Sequence, residues 1–228
     1  METILYGKPI ADELDNKSRL VFKSFKNSKD RQPKLTAITV GDNPASLLYV
    51  SRKEEKAKEL GVEFNWIKLE KDTDQEELDS KVEKASQDSD GIIIQLPLPE
   101  HINPEQAINM IPYNLDVDGL TALNLGNLYS DKYKIIPATS LAILELIKFY
   151  KIDTTDKNVV IAGRSRLVSS PLAKILSSKK YNANVTVIHS KTTNQKDFTV
   201  NADIFISAIG KPMNYDISFL KENSTVID

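Results

Sequence analysis

The chain has 228 residues, 40% of them hydrophobic, with 30 Lys and Arg against 32 Asp and Glu, which allows one large domain or two small ones and excludes the strongly basic balance of a general nucleic-acid binder. It has no Cys and two His, His101 and His189, which excludes disulfides, thiolate catalysis and zinc–cysteine sites and argues against a His-based metal centre. No apolar run approaches the ~20 residues that cross a bilayer, and Met1 to Leu5 lacks the basic and apolar regions of a signal peptide, so a cytoplasmic protein with no membrane and no nucleic-acid partner is expected.

Helical and strand patterns alternate along the chain, which favours an α/β fold. Leu35 to Val40 is a β-rich run ending at Gly41. The next helix has Asn43 as its N-cap and Pro44 as its first residue; it runs to about Leu60 and stops at Gly61. Val62 to Leu69 alternates like a strand, and Asp74 to Ser86 is a charged amphipathic helix. Gly91 to Leu96 is almost wholly apolar and reads as the central buried strand of a parallel sheet. Leu141 to Tyr150 is an apolar helix, and the division between two domains falls in or before the helix at 139–150. Strands then follow at Asn158 to Ala162, Asn184 to Ile188, Ala202 to Ala208 and Thr225 to Ile227. A glycine turn and a helix near Ser170 to Ser177 follow the first of them, and Ser190 to Lys196 reads as a loop. This β-α-β-α-β series is a nucleotide-binding pattern.

Several residues could carry chemistry. Tyr49 and Lys53 lie four apart on one helix and share a face, so a ring and an amine could meet a flat ligand. The alternative is a tyrosine at the core boundary and a solvated lysine. Gln95 stands where an apolar strand ends, the edge at which open parallel sheets bind ligands; it could equally satisfy loop backbone. Asp116-Val117-Asp118-Gly119 sets two carboxylates before a glycine. It is either an Asx turn that orders the loop or a carboxylate that recognises N–H donors. Its resemblance to the start of a calcium loop ends there, because Leu120, Thr121 and Asn127 stand where a ligand, the turn glycine and the closing glutamate belong, so no metal is expected. Gly163-Arg164-Ser165 lies between a strand and a helix, the position of a phosphate-binding turn. Ser165 and Val168 replace the second and third glycines of the usual fingerprint. The next strand ends Ile188-His189-Ser190-Lys191, with no acid before Asp197 to hold a ribose 2′-hydroxyl, so Arg164 and Ser190 suit a 2′-phosphate: NADP rather than NAD.

Together these blocks resemble the bifunctional methylenetetrahydrofolate dehydrogenase/methenyltetrahydrofolate cyclohydrolase family over nearly the whole chain. The resemblance rests on Val40-Gly41-Asp42-Asn43-Pro44-Ala45-Ser46 ahead of Tyr49-x-x-x-Lys53, on Gln95-Leu96-Pro97-Leu98-Pro99, and on Asp116-Val117-Asp118-Gly119. It continues in Pro137-Ala138-Thr139, Gly163-Arg164-Ser165, His189-Ser190-Lys191-Thr192 and Ala208-Ile209-Gly210-Lys211-Pro212. It implies a folate-binding catalytic domain over 1–138 and a Rossmann-like, parallel-sheet NADP domain over 139–228. It implies NADP-dependent oxidation of 5,10-methylenetetrahydrofolate and hydrolysis of the methenyl product to 10-formyltetrahydrofolate. It further implies that Lys53 is the catalytic lysine, that Tyr49 packs on the folate and helps position Lys53, that Gln95 hydrogen-bonds near Lys53, and that Asp118 grips the pterin. Ser46 joins the substrate-binding set, and Gly163, Arg164, Ser165 and Ser190 the cofactor-binding set. A homodimer is expected. A shikimate- or amino-acid-dehydrogenase-like NADP enzyme would not explain the first-half motifs together; an inactive folate- or NADP-binding protein is a third reading. The sequence departs from the family at Ala138, where a cysteine is usual, and at Ser169-Ser170, where Gly-Lys is usual. It ends at Asp228, where family members continue through a Pro-Gly-Gly segment into a helix, so a C-terminal segment is expected to be missing.

Overall fold

A computed structural model describes residues 3–211 and 214–228, so Met1, Glu2 and the Pro212 of the last motif lie outside the described residues. The chain divides into two compact units, Tyr6–Asn124 and Met1–Leu5 with Leu125–Asp228.

The first unit runs α1 (Lys8–Lys29), β1 (Lys34–Val40), α2 (Pro44–Leu60), β2 (Glu63–Leu69), α3 (Gln75–Ser86), β3 (Gly91–Ile94) and α4 (Pro104–Met110). Its strands form a parallel sheet in the order β2-β1-β3. The helix over α2 begins and ends as the sequence predicts. The Asn43 side chain accepts from the Ser46 N–H at 3.1 Å. Gly61 adopts φ +78, and the N–H groups of Gly61 and Val62 return to the carbonyls of Lys58 and Ala57. Asp74 caps α3 in the same manner, accepting from the Glu77 N–H at 2.8 Å. The core between the sheet, α3 and α4 contains Ile38, Leu78, Val82 and Ile92, each fully buried. Burying each such side chain stabilises the fold by ~1.5–3 kcal/mol relative to exposure.

The structure corrects one expectation and adds one helix. The apolar run from Gly91 forms β3, buried throughout, but it is an edge strand of this sheet rather than its centre; β1 is central. Its free edge is closed by irregular chain: Ile92 N–H donates to Leu115 O at 2.8 Å, and Ile92 forms an isolated parallel bridge with Asp116. That cover, not a fourth strand, explains the uniform burial. The long helix α1 carries an apolar stripe of Ile10, Leu14, Val21 and Phe25, but no capping side chain marks its start and only Ile10 is buried. Its packing on α2 uses charge: Lys56 Nζ lies 2.7 Å from both Asp15 and Glu59, and Arg19 donates to Glu59.

The helix α5 (Ala122–Tyr129) carries Asn124, Gly126 and Asn127, weak helix formers that hid it in the sequence. The second unit continues with α6 (Ala138–Phe149), β4 (Asn158–Ala162), α7 (Ser169–Leu176), β5 (Asn184–Ile188), α8 (Gln195–Thr199), β6 (Ile204–Ser207) and β7 (Thr225–Ile227). Helix α6 starts three residues earlier than the apolar pattern, after Pro137, and α8 begins inside the stretch read as a loop. The strands form an all-parallel sheet, β5-β4-β6-β7. The buried Val159, Ile161, Ile204 and Ile206 pack against Leu172, Ile175 and Leu176 of α7. No helix among the described residues is long and apolar enough to cross a membrane.

Replacing Asn43 with Ala should cost about 1 kcal/mol, the usual worth of an N-cap, read as a lower urea midpoint for the first unit. An unchanged midpoint would show that this cap carries no stability.

Candidate active site

Because β1, β2 and β3 are parallel, their carboxyl ends open on one edge of the sheet, and α2 departs from that edge after Gly41. Ser46, Tyr49 and Lys53 therefore lie along the first turns of α2. Gln95 follows β3 directly, its N–H bonded to Ile38 O at 2.9 Å. Lys53 Nζ donates to Gln95 Oε1 at 3.1 Å. The Gln95 amide is committed at both ends, since its Nε2 donates to Leu96 O at 2.9 Å. With both ends engaged, the amide is a fixed acceptor for the amine. The Ser46 hydroxyl is buried and donates to Leu96 O at 3.3 Å, which ties the start of α2 to the cis Leu96–Pro97 segment.

Tyr49 is 59% exposed, so its ring is available to a ligand rather than spent in the core. Tyr49, Lys53 and Val117 line a cavity of about 510 Å³ that continues over Leu35, Leu60 and Phe22.

The two aspartates of the Asp-Val-Asp-Gly block have separate situations. Asp116 is 1% exposed, and its Oδ2 accepts from the Thr121 N–H and from Asn124 Nδ2, both at 2.8 Å. It orders the loop, as the Asx-turn reading allows. Asp118 accepts no such hydrogen bond among the described residues, and the Lys53 amine bears on it electrostatically. Burial pushes its carboxyl above the ordinary carboxylate range, the Lys53 amine pulls it back in part, and the Asp116 charge adds to the rise. A half-buried carboxylate with free acceptor capacity can take N–H donors from a ligand. Asn124 was not singled out in the sequence; its position in an unrecognised helix concealed it.

In the second unit, Gly163 lies at the end of β4 with φ +125. A Cβ there would come within 2.7 Å of Ala208 O and 2.8 Å of Ser169 Oγ. Only glycine fits this conformation and this approach. The Ser165 hydroxyl accepts from the Val168 N–H at 3.1 Å, shaping the turn into α7. Ser169 is fully buried, and its hydroxyl is the one buried side-chain polar atom without a hydrogen-bond partner among the described residues. Arg164 and Ser190 are both exposed. The loop after β5 is ordered by the His189 N–H donating to Thr192 Oγ1 at 3.0 Å and by Gln195 Nε2 donating to His189 O at 3.1 Å.

An α/β chain with an amine–amide–carboxylate group in one unit and a glycine turn on a parallel sheet in the other has the make-up of a nucleotide-dependent enzyme with a separate substrate-binding unit. The comparisons with known proteins make that class specific. Residues 5–118 match the tetrahydrofolate dehydrogenase/cyclohydrolase catalytic domain, and residues 137–228 match the NAD(P)-binding domain of the same family. The chain belongs to the tetrahydrofolate dehydrogenase/cyclohydrolase family. It is 38% identical to the bifunctional protein FolD of Clostridium botulinum strain Alaska E43, over all of this chain and 81% of that one. The crystal structure of the Campylobacter jejuni FolD methylenetetrahydrofolate dehydrogenase/cyclohydrolase superposes with a TM-score of 0.93 at 33% identity, covering 98% of this chain and 79% of that one. The Trypanosoma brucei enzyme, solved with NADP cofactor and inhibitor, superposes at 0.92 with 28% identity, covering 98% and 77%.

The raised Asp118 carboxyl carries a stability consequence. Folding favours its protonated form, so the penalty is absent below the ordinary aspartate range and grows as pH rises through the folded-state value. At pH 7 Asp118→Asn should melt at or above the wild-type temperature, by ~2–4 °C for each kcal/mol relieved. Calorimetry checks this; a clear loss of stability at pH 7 would contradict it.

Proposed function

We propose that this protein oxidises 5,10-methylenetetrahydrofolate to 5,10-methenyltetrahydrofolate with NADP and hydrolyses that product to 10-formyltetrahydrofolate. The observation that carries the site assignment is the Lys53–Gln95 hydrogen bond, which holds an amine near a carboxylate whose ionisation burial has already perturbed. Membership of the family across both halves of the chain supports the pair of reactions over a shikimate- or amino-acid-dehydrogenase-like activity. An inactive folate- or NADP-binding protein is the reading that turnover assays with methylene- and methenyltetrahydrofolate would expose.

Tyr49 supplies an open aromatic face for the folate, and Ser46 belongs to the same binding set. Asp118, acceptor-only when ionised, takes the adjacent N–H donors of the pterin. Loss of hydride from the carbon bridging the two folate nitrogens leaves an amidinium cation; that step needs orientation more than acid or base. NADP, when bound, supplies the hydride acceptor. The residues that would hold it fit the group: Gly163 permits close backbone approach, Ser165 shapes the turn for the pyrophosphate, and the exposed Arg164 and Ser190 suit the 2′-phosphate. In the hydrolysis, water adds to the same carbon and the bond to the leaving nitrogen breaks as the formyl C=O forms; one water proton goes to that nitrogen and the other is released to solvent. Lys53, oriented by Gln95, is the group that carries this proton. Residues 1–138 take the folate-binding role and 139–228 the cofactor role. The protein acts as a cytoplasmic homodimer without nucleic-acid partners, a reading supported by the cysteine-free, charge-balanced composition for location and by the resemblance for assembly.

Lys53→Ala should abolish methenyltetrahydrofolate hydrolysis while folate still binds, measured by the loss of methenyl absorbance and by equilibrium titration. Near-normal hydrolysis would remove Lys53 from the mechanism. Arg164→Ala should narrow the preference for NADP over NAD by ~1–3 kcal/mol, the worth of a charge-assisted contact; kcat/KM for the two cofactors is the readout, and a wild-type preference for NAD would refute the 2′-phosphate assignment.

A further inference from the structure

The carboxylate of Asp116 is the most deeply buried charge in the first unit, and none of the ion pairs among the described residues includes it. Its Oδ2 collects two N–H donors, from Thr121 and Asn124, at 2.8 Å each. Asn124 itself is anchored, since the same Nδ2 also donates to Tyr113 O at 2.8 Å and its backbone N–H to Thr121 Oγ1 at 3.3 Å. On its other side the loop is fastened to β3 by the Ile92 bridge. Val117 seats directly on Gly91, where a Cβ would meet Val117 Cγ1 at 2.6 Å. The loop then turns at Gly119, φ +69. Asp118 is thus held between a bound residue on one side and a glycine turn on the other.

We propose that Asp116 is a positioning residue for folate recognition: it fixes the loop that carries Asp118, and its charge, two residues away, acts on Asp118 through space. This rests on the reading of Asp118 as the pterin acceptor. The structure favours more than a scaffold role because a neutral Asn or Ser could order an Asx turn, yet a carboxyl group stands here in a fully buried place. Two charged groups bear on Asp118. Lys53 on α2 favours its ionised form, and Asp116 on its own loop opposes it; Gln95, from the end of β3, is neutral. The ionised carboxylate is the form that accepts pterin N–H groups, so folate affinity falls as pH drops through the Asp118 titration. Removing the Asp116 charge eases ionisation of Asp118 and moves that acid limb to lower pH.

The test is equilibrium binding of folic acid, a stable pterin, to the whole protein across pH 4.5 to 7, with NADP binding as a control. Asp116→Asn should weaken folate by roughly ten- to a hundredfold through misplacement, leave NADP affinity unchanged, and shift the acid limb to lower pH. Asn124→Ala should weaken folate while leaving the limb where it is, because the charge remains. A limb in Asp116→Asn that stays put or moves to higher pH overturns the through-space action, and wild-type folate affinity in that variant overturns the positioning. If Asp116→Asn does not fold, unchanged folate affinity in Asn124→Ala overturns the proposal. Asp118→Asn separates the underlying reading: if it binds folic acid as the wild type does, Asp118 is not the acceptor and the failure lies there.

Discussion

The parallel pairing of β1 with both of its neighbours is the constraint on which the first unit's chemistry depends. Parallel strands cannot be joined by tight turns; each must be followed by a crossover that returns the chain to the other end of the sheet. All carboxyl ends therefore open on one edge, and the crossover helix α2 starts there. The caps at Asn43 and Gly61 set where that helix begins and ends, and so set which of its residues lies where. With Lys53 bonded to Gln95 at the end of β3, the position of the amine follows from strand register and helix caps. It does not depend on a flexible lysine finding its place.

The same edge shows how one short block can carry two unlike carboxylates. Asp116 is spent inside the protein, satisfied by backbone and amide N–H groups. Asp118, two residues on, keeps its acceptor capacity and suffers the cost of burial instead. Charge placed at a site before the ligand arrives destabilises the free protein and is recovered when donors dock on it, a trade between stability and function that is common at binding sites.

The second unit applies the parallel-sheet rule to another purpose. Its β4–α7 turn depends on Gly163, because Ala208 O and Ser169 Oγ leave no space for a side chain. The departure at Ser169 has a structural correlate: its hydroxyl is buried beneath the turn without a hydrogen-bond partner among the described residues, a cost a glycine at that position would not carry.

Local chemistry in the sequence was sufficient for the elements with strong punctuation. Asn43-Pro44 and Gly61 bounded α2, Gly41 closed β1, and the apolar runs at Asn158 to Ala162 and Asn184 to Ile188 matched β4 and β5 residue for residue, since caps, turn glycines and buried parallel strands are local signals. The ordered motifs also carried the family and its two-unit α/β architecture. Elements stabilised by distant partners were not legible. Helix α1 has an apolar stripe but no capping side chain to mark its start; α5 is built from poor helix formers; β3 is buried by the chain around Leu115 and Asp116 rather than by a strand on each side. At the candidate site, residue types alone left Gln95 and the two aspartates open between loop-ordering and ligand-facing roles. Only the tertiary structure decided which of these groups are already satisfied within the protein, because whether a carboxylate is satisfied or keeps free acceptor capacity depends on which N–H groups the fold brings within 3 Å of it, and spacing along the chain does not encode that.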